Sequence, residues 1–176
     1  MSYIKKKSKA QEVRTAKEFG GKTQIASGAL WTAKGDVRTG GERTSSFNET
    51  DFLIENKFTD KSTYKLERKI WEKITNEAIQ DNFRTPLIQV DIQDLHLVIL
   101  DENVFNEYFD GYDIYEFSSM TNNKSFPLDK EVLEGCISKA KLNGQIPAFK
   151  LTFTGKIGFH KQLRLVIMLK DDFIYR

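Results

Sequence analysis

Cysteine and histidine are scarce in this chain of 176 residues, which has one cysteine, Cys136, and two histidines. A single cysteine excludes an internal disulfide framework, and two histidines leave little for a zinc site. No apolar run approaches the roughly 18 residues of a membrane span, and no apolar segment follows the basic N-terminus as in a secretion signal. We therefore expect a cytoplasmic protein of a reducing compartment with no membrane partner.

Basic residues are also missing from one long segment. No Lys or Arg occurs from Thr85 through Asn123, although this segment has eight acidic residues. Residues 1–45, in contrast, carry ten Lys or Arg and four Asp or Glu, while the whole chain has a net charge of +2. A polyanion such as DNA would bind the basic segment and avoid the acidic one. A basic tail that aids solubility is the alternative interpretation.

Apolar spacing predicts an α/β order of elements in the first part of the chain. Residues 1–7 form a basic, frayed leader, and Ser8 is the expected N-cap of the first helix. The segments predicted are a helix over Lys9–Phe19, an extended segment over Gln24–Trp31, a polar loop over Thr39–Asn48, a strand over Asp51–Phe58, a helix over Lys65–Ile79, and strands over Leu87–Ile92 and Leu95–Leu100.

The second part of the chain repeats some of this pattern at offsets of 61 to 63 residues. We place a domain boundary after residue 105, with residues 106–176 as a C-terminal α/β extension packed on the core. This extension is interpreted as a degenerate copy of a strand-helix-strand-strand unit. At an offset of 63, Glu55 falls on Ser118 and Lys57 on Met120, so the second copy would be structural. A chance match of helix and hairpin is the alternative.

Acidic residues and a lysine converge in the first part of the chain. Glu55 and Lys57 share one face of a strand, because side chains two apart point the same way. Asp36 follows Gly35 in an earlier turn, and Glu12 lies on the first helix. Carboxylate oxygens suit Mg²⁺, which can activate a water and stabilise charge on a phosphodiester, with a lysine assisting. By spacing alone, a solvated edge strand with an ion pair is the favoured interpretation.

A longer set of segments resembles the PD-(D/E)XK nucleases, and within them the archaeal-type Holliday junction resolvases and their phage-encoded relatives. The matching segments, within residues 8–105, are Gly20-Gly21-Lys22, Ser27-Gly28-Ala29-Leu30-Trp31, Lys34-Gly35-Asp36-Val37, Phe52-Leu53-Ile54-Glu55-Asn56-Lys57 and Lys61-Ser62. This resemblance implies a restriction-endonuclease-like mixed central sheet flanked by helices, with residues 1–105 as the nuclease core. It also implies a Mg²⁺ cofactor, for which Mn²⁺ can substitute.

By position, the resemblance implies that Glu12, Asp36 and Glu55 bind the metal and that Lys57 is the catalytic lysine. Ser27 falls where these resolvases place a serine near the scissile phosphate, and Lys22, Lys34, Lys61 and Ser62 are further candidates for DNA contact. The gap between Asp36 and Glu55 is longer than in the short archaeal proteins. Asp51 is a rival for the aspartate role, but on a straight strand it would lie about 13 Å from Glu55.

Other residues have simpler interpretations. Ser62 is equally the N-cap of the second helix, Trp31 is either a base-stacking or a core residue, and Cys136 is a small core residue. His96 and His160 have no ligand-spaced partner, and we assign them no chemistry.

Three functions remain open from the sequence. The first is a Mg²⁺-dependent endonuclease that resolves four-way junctions or other branched DNA as a two-fold homodimer. The second is a nicking, restriction-like or repair nuclease on duplex DNA. The third is a non-catalytic nucleic-acid-binding module with a nuclease-like fold. The complete set of Glu12, Asp36, Glu55 and Lys57 favours the enzymes over the binding module.

Overall fold

The computed structural model describes residues 3–23, 35–39, 51–81, 83–155 and 162–175, and within these ranges it contains five helices and ten strands. The helices are Tyr3–Glu18 (α1), Arg68–Gln80 (α2), Glu102–Tyr108 (α3), Lys130–Leu142 (α4) and Lys170–Ile174 (α5). The strands are Lys22–Thr23 (β1), Val37–Arg38 (β2), Phe52–Thr59 (β3), Thr63–Glu67 (β4), Thr85–Ile92 (β5), Leu95–Asp101 (β6), Ile114–Thr121 (β7), Ser125–Asp129 (β8), Ile146–Phe153 (β9) and Leu163–Leu169 (β10).

The chain forms two compact units, one of Met1–Phe58 with Ile70–Gln89 and the other of Thr59–Lys69 with Val90–Arg176. In the first unit the strand order is β1-β2-β3-β5, and in the second it is β6-β10-β9-β7, with β4 and β8 in a separate two-stranded sheet. The predicted mixed α/β class, a sheet flanked by helices, is confirmed. The predicted division after residue 105 stays a prediction.

Each unit has an apolar core between strands and a helix. In the first unit, α2 buries Trp71, Ile74 and Ala78, and β3 buries its apolar start. In the second, β6 and β10 are continuous apolar runs that are buried on both faces, as expected for central strands. None of the helices in the described ranges has the length and apolarity needed to cross a membrane.

The N-terminal helix is longer than predicted. It begins at Tyr3, so the expected frayed leader is wrong from that residue on, and Ser8 lies inside the helix and is not its N-cap. The helix ends before Gly20, whose φ of 64° suits the left-handed position after a helix. The predicted extended segment Gln24–Trp31 and most of the predicted loop after Thr39 lie outside the described residues.

The predicted helix Lys65–Ile79 is wrong at its start. Residues Thr63–Glu67 form β4, which pairs antiparallel with β8, and the helix begins only at Arg68. Leu66 is buried by this strand pairing, although its spacing from Ile70 fitted a helix. Ser62 is therefore not a helix N-cap, because it precedes a strand.

The element order of residues 52–108 recurs over residues 114–174. The series β3-β4-α2-β5-β6-α3 corresponds to β7-β8-α4-β9-β10-α5, and the first five elements have identical lengths in the two series. Backbone hydrogen bonds correspond as well, since Thr85 N donates to Asp51 O and Ile146 N to Asp113 O. The offset is thus 62 at β3, so Glu55 corresponds to Phe117 and Lys57 to Ser119. The offset of 63, with Ser118 and Met120, is wrong by one residue.

We predict that Leu100→Ala lowers the free energy of unfolding by about 2–5 kcal/mol, because it empties space in a packed core. Leu100 on β6 is fully buried, whereas Leu142 at the end of α4 is 88% exposed. The control Leu142→Ala makes the same chemical change and is expected to cost less than about 0.5 kcal/mol. Urea denaturation of the two variants measures the difference, and equal losses would contradict the assignment of β6 to the core.

Candidate metal-dependent active site

Glu55 and Lys57 lie at the centre of the candidate site, on β3. The Lys57 Nζ is 2.6 Å from the Glu55 Oε1, and the two side chains are 30% and 8% exposed. The strand period of two places both on one face, as the sequence predicts. Burying an ionised carboxylate to this extent costs free energy unless a positive charge lies beside it, and the Lys57 ammonium provides that charge.

Asp36 is held against the same strand by two hydrogen bonds. Its backbone N donates to the carbonyl of Ile54 (2.8 Å), and its Oδ2 accepts from the backbone N of Asn56 (2.7 Å). These bonds place the Asp36 carboxylate beside the residue that follows Glu55. Asp51, the rival candidate, precedes β3 at the other side of Phe52–Ile54, about 13 Å from Glu55 by strand geometry. The geometry therefore favours Asp36.

Gly35 allows Asp36 to approach β3 this closely. Gly35 has a φ of 60°, and a Cβ at this position would lie 2.7 Å from the Leu53 Cδ1 and 2.8 Å from the Leu53 Cγ. Both the backbone conformation and the space require glycine. The Gly35 backbone N also donates to the Glu77 Oε2 of α2 (3.2 Å).

Glu12 joins these residues from α1. Burial raises the pKa of the Glu12 carboxyl, and the nearby negative charges of Asp36 and Glu55 raise it further. A hydrogen bond from Ser8 and the charge of Lys9 act in the opposite direction. Glu12 is thus close enough to Asp36 and to Glu55, on two other segments of the chain, for their charges to act on it.

Buried amides fix α1 on β3 and so position Glu12. The Gln11 Nε2 donates to the carbonyl of Lys57 (2.8 Å), and the Thr15 Oγ1 lies 2.9 Å from the Asn56 Oδ1 and 2.7 Å from the Gln89 Oε1. The Thr15 hydroxyl is the donor in both contacts, and because it carries one hydrogen the two amide oxygens share that hydrogen. Thr15, Asn56 and Gln89 are all buried, which makes these bonds expensive to lose.

The candidate donors are carboxylates only, which is the ligand type that a hard divalent cation such as Mg²⁺ prefers. Such a cation would offset the negative charges of Asp36 and Glu55, which, after burial, raise the pKa of Glu12. In the described ranges, no three Asp, Glu, His or Cys side chains are gathered closely enough to form a ready-made metal site. The positive charge beside Glu55 comes instead from two lysines.

The second of these lysines, Lys73, was missed by the sequence analysis. Its Nζ is 3.6 Å from the Glu55 Oε1 and 3.7 Å from the Glu77 Oε1. Lys73 and Glu77 are four residues apart on α2, a spacing that puts them on one helix face. This spacing was the available signal, but only the packing of α2 shows that the pair reaches Glu55.

The remaining candidates are more scattered. Lys22 on β1 and Lys61 and Ser62 in the turn before β4 are exposed, whereas Ser27, Lys34, Trp31 and His160 lie outside the described residues. The His96 Nδ1 is 2.8 Å from the Asp91 Oδ1, and Cys136 is half-buried on α4.

The chain matches no protein-family model and no curated protein. Among solved structures it is similar to that of Hjc, a Holliday junction resolvase from the archaeal hyperthermophile Archaeoglobus fulgidus, with a TM-score of 0.44 and 13% sequence identity. The match covers 72% of this chain and 89% of that one.

We predict that Gly35→Ala destabilises the protein by more than Gly144→Ala does. Both glycines have a positive φ, so both variants incur about 1–2 kcal/mol of backbone strain. Only at position 35 does the new methyl group also meet Leu53, since nothing lies within 4 Å of a Cβ at Gly144. Urea denaturation of the two variants measures the difference, and an equal cost would show that Asp36 is not held against β3 as described.

Proposed function

We propose that this protein is a metal-dependent DNA endonuclease that hydrolyses phosphodiester bonds in four-way junctions or other branched DNA. The observation that carries the proposal is the buried Glu55 carboxylate with the Lys57 Nζ at 2.6 Å, beside Asp36 and Glu12. Carboxylates and a lysine in this arrangement are the groups that metal-assisted phosphodiester hydrolysis needs.

Glu12, Asp36 and Glu55 would hold a Mg²⁺ ion, with Mn²⁺ as a substitute. When bound, the ion supplies a Lewis acid and lowers the pKa of a water. The protein's own side chains supply the positive charge that this hydrolysis needs. Lys57, once freed from Glu55, has its ammonium on the same strand face and can neutralise the charge that develops on the phosphate.

Lys73 has a positioning role in this proposal. Its side chain is 56% exposed and bridges Glu55 to Glu77, and Glu77 in turn accepts a hydrogen bond from the backbone N of Gly35. This chain of contacts links the strand that carries Glu55 to the turn that carries Asp36. These contacts keep the Glu55 and Asp36 carboxylates in fixed positions relative to each other while the DNA approaches.

The DNA would approach the first unit. The exposed side of α1 carries Lys9, Arg14 and Lys17, and Lys22 on β1 is exposed as well. Phosphate contact releases counterions only where such basic groups lie. Residues 90–116 of the second unit, in contrast, include eight acidic residues and no Lys or Arg.

The test of the proposed function is cleavage of matched four-way-junction and linear duplex substrates with Mg²⁺ or EDTA. Metal-dependent cutting confined to the junction supports the proposal in full. Cutting of linear duplex supports a nicking, restriction-like or repair nuclease instead. Binding of branched DNA without any cleavage by Mg²⁺- or Mn²⁺-loaded protein identifies a non-catalytic binding module and overturns the proposal.

We predict that Lys57→Ala lowers the single-turnover cleavage rate by at least about 100-fold, because charge on the phosphate is no longer neutralised. Its affinity for branched DNA is expected to stay within a few-fold of that of the wild type. Lys65→Ala, which removes an exposed lysine of β4, is the matched control and is expected to leave the rate within about two-fold. Normal cutting by Lys57→Ala would show that β3 does not carry the site.

Metal binding can be measured without activity. We predict that Mg²⁺ or Mn²⁺ raises the Tm of the wild type, because a ligand that binds only the folded state stabilises it. Glu55→Gln is expected to abolish this increase, whereas Glu67→Gln, at a carboxylate of β4 that pairs with Lys69, is expected to keep it. An unchanged metal response in Glu55→Gln, measured by differential scanning calorimetry, would remove Glu55 from the ligand set.

A further inference from the structure

The repeated elements pair with each other through strands that occupy equivalent positions. In the second unit, β4 pairs antiparallel with β8, and the register centres on Lys65 opposite Pro127. These two residues are equivalent at the offset of 62. Two backbone hydrogen bonds flank this pair, Arg68 N to Lys124 O (2.9 Å) and Lys130 N to Ser62 O (2.8 Å). The offset of 62 relates the donor of each bond to the donor of the other, and likewise the two acceptors. The pair therefore has local two-fold symmetry.

A second strand pair of the same unit has the same property. β6 and β10 are antiparallel, and Ile99 lies opposite Ile167 at the middle of their register. These residues occupy equivalent positions, the fifth of each strand. Ile99 and Ile167 are both buried, at 0% and 1% exposure, so the pairing is part of the core. Two copies of a protein could form a symmetric dimer by pairing equivalent strand edges. In this protein such edges are paired within one chain.

The second repeat has no counterpart of the catalytic side chains. Phe117 replaces Glu55, Ser119 replaces Lys57, and Gly135 replaces Lys73. The Phe117 ring stacks on that of Phe149, with centroids 5.1 Å apart, and both line a largely apolar cavity of about 440 Å³. An apolar lining of this kind provides neither ligands for Mg²⁺ nor a charge for a phosphate.

Two charged residues line the same cavity, but both have partners elsewhere. The Asp129 carboxylate caps α4 by accepting from the backbone N of Val132 and also accepts from the Thr63 hydroxyl. The Lys150 Nζ pairs with Glu116 at 2.7 Å and with Glu102 at 3.4 Å. In the part of the second repeat that the structure describes, the chain thus supplies strand pairing and a core without a reactive centre.

We infer that one chain cuts one DNA strand per encounter, so that its product is a nick and not a pair of coordinated cuts. This inference rests on the proposed function, since it concerns the use of the same site. In each event a water oxygen forms a bond to phosphorus and the bond from phosphorus to the 3′ oxygen breaks. The 3′ oxygen leaves as a hydroxyl after taking up a proton, and the phosphate stays on the 5′ end.

A supercoiled plasmid that extrudes a cruciform tests the inference, because a single cut and paired cuts give different products. With DNA in excess over protein and Mg²⁺ present, we expect open-circular plasmid to accumulate first, and linear plasmid to appear only after a lag. Linear plasmid formed from the start without an open-circular intermediate would overturn the inference and leave the proposed nuclease intact. No cleavage with either Mg²⁺ or Mn²⁺ would overturn both.

Mixing with an inactive chain gives an independent readout. With DNA in excess, an equimolar amount of Lys57→Ala protein is expected to leave the initial nicking rate of the wild type unchanged, and the rate is expected to be proportional to wild-type concentration. If active sites worked in obligate pairs, mixed pairs would form and the rate would fall by about half or more. Such a loss would overturn the inference even where nicked plasmid is seen.

Discussion

Glu55 of the first unit is a carboxylate on a buried strand, and such a carboxylate needs a positive charge beside it. Removing an ionised group from water costs several kcal/mol unless a partner compensates. Lys57 and Lys73 both lie beside the Glu55 Oε1, although Lys57 alone is at hydrogen-bonding distance. Asp36 and Glu12 add negative charge nearby, and the pKa of Glu12 is raised first by burial and then by the charges of Asp36 and Glu55. α1, α2 and the turn at Gly35 each bring one charged side chain to this region, namely Glu12, Lys73 and Asp36.

Much of the fold could be predicted from local pattern. The apolar runs of β5 and β6 and the four-residue apolar spacing of α2 are properties of neighbouring residues, and the predicted segments lie within about two residues of the observed strands. β4 could not be predicted in this way, because its partner β8 lies about sixty residues further along the chain. Leu66 fitted a helical pattern, and only the long-range pairing makes it a strand residue.

The candidate site, like the fold, could be predicted only where it depends on neighbouring residues. The closeness of Glu55 and Lys57 follows from strand geometry, so the sequence was sufficient to place them together. Asp36 required a resemblance, because nothing local indicates that a turn twenty residues earlier folds against Asn56. Lys73 and Glu77 were missed because their contact with this region depends on how α2 packs. Their helical spacing showed an ion pair but not the strand that it faces.

The pairing of β6 with β10 also affects how the protein folds. Two-fold pairings between separate chains form in a bimolecular reaction, so the stability of a dimer depends on protein concentration. Here the two strands belong to one chain, and the linking segment sets a high effective concentration of one for the other. This pairing is thereby independent of protein concentration, although the two series of elements differ in sequence at positions such as Glu55 and Phe117.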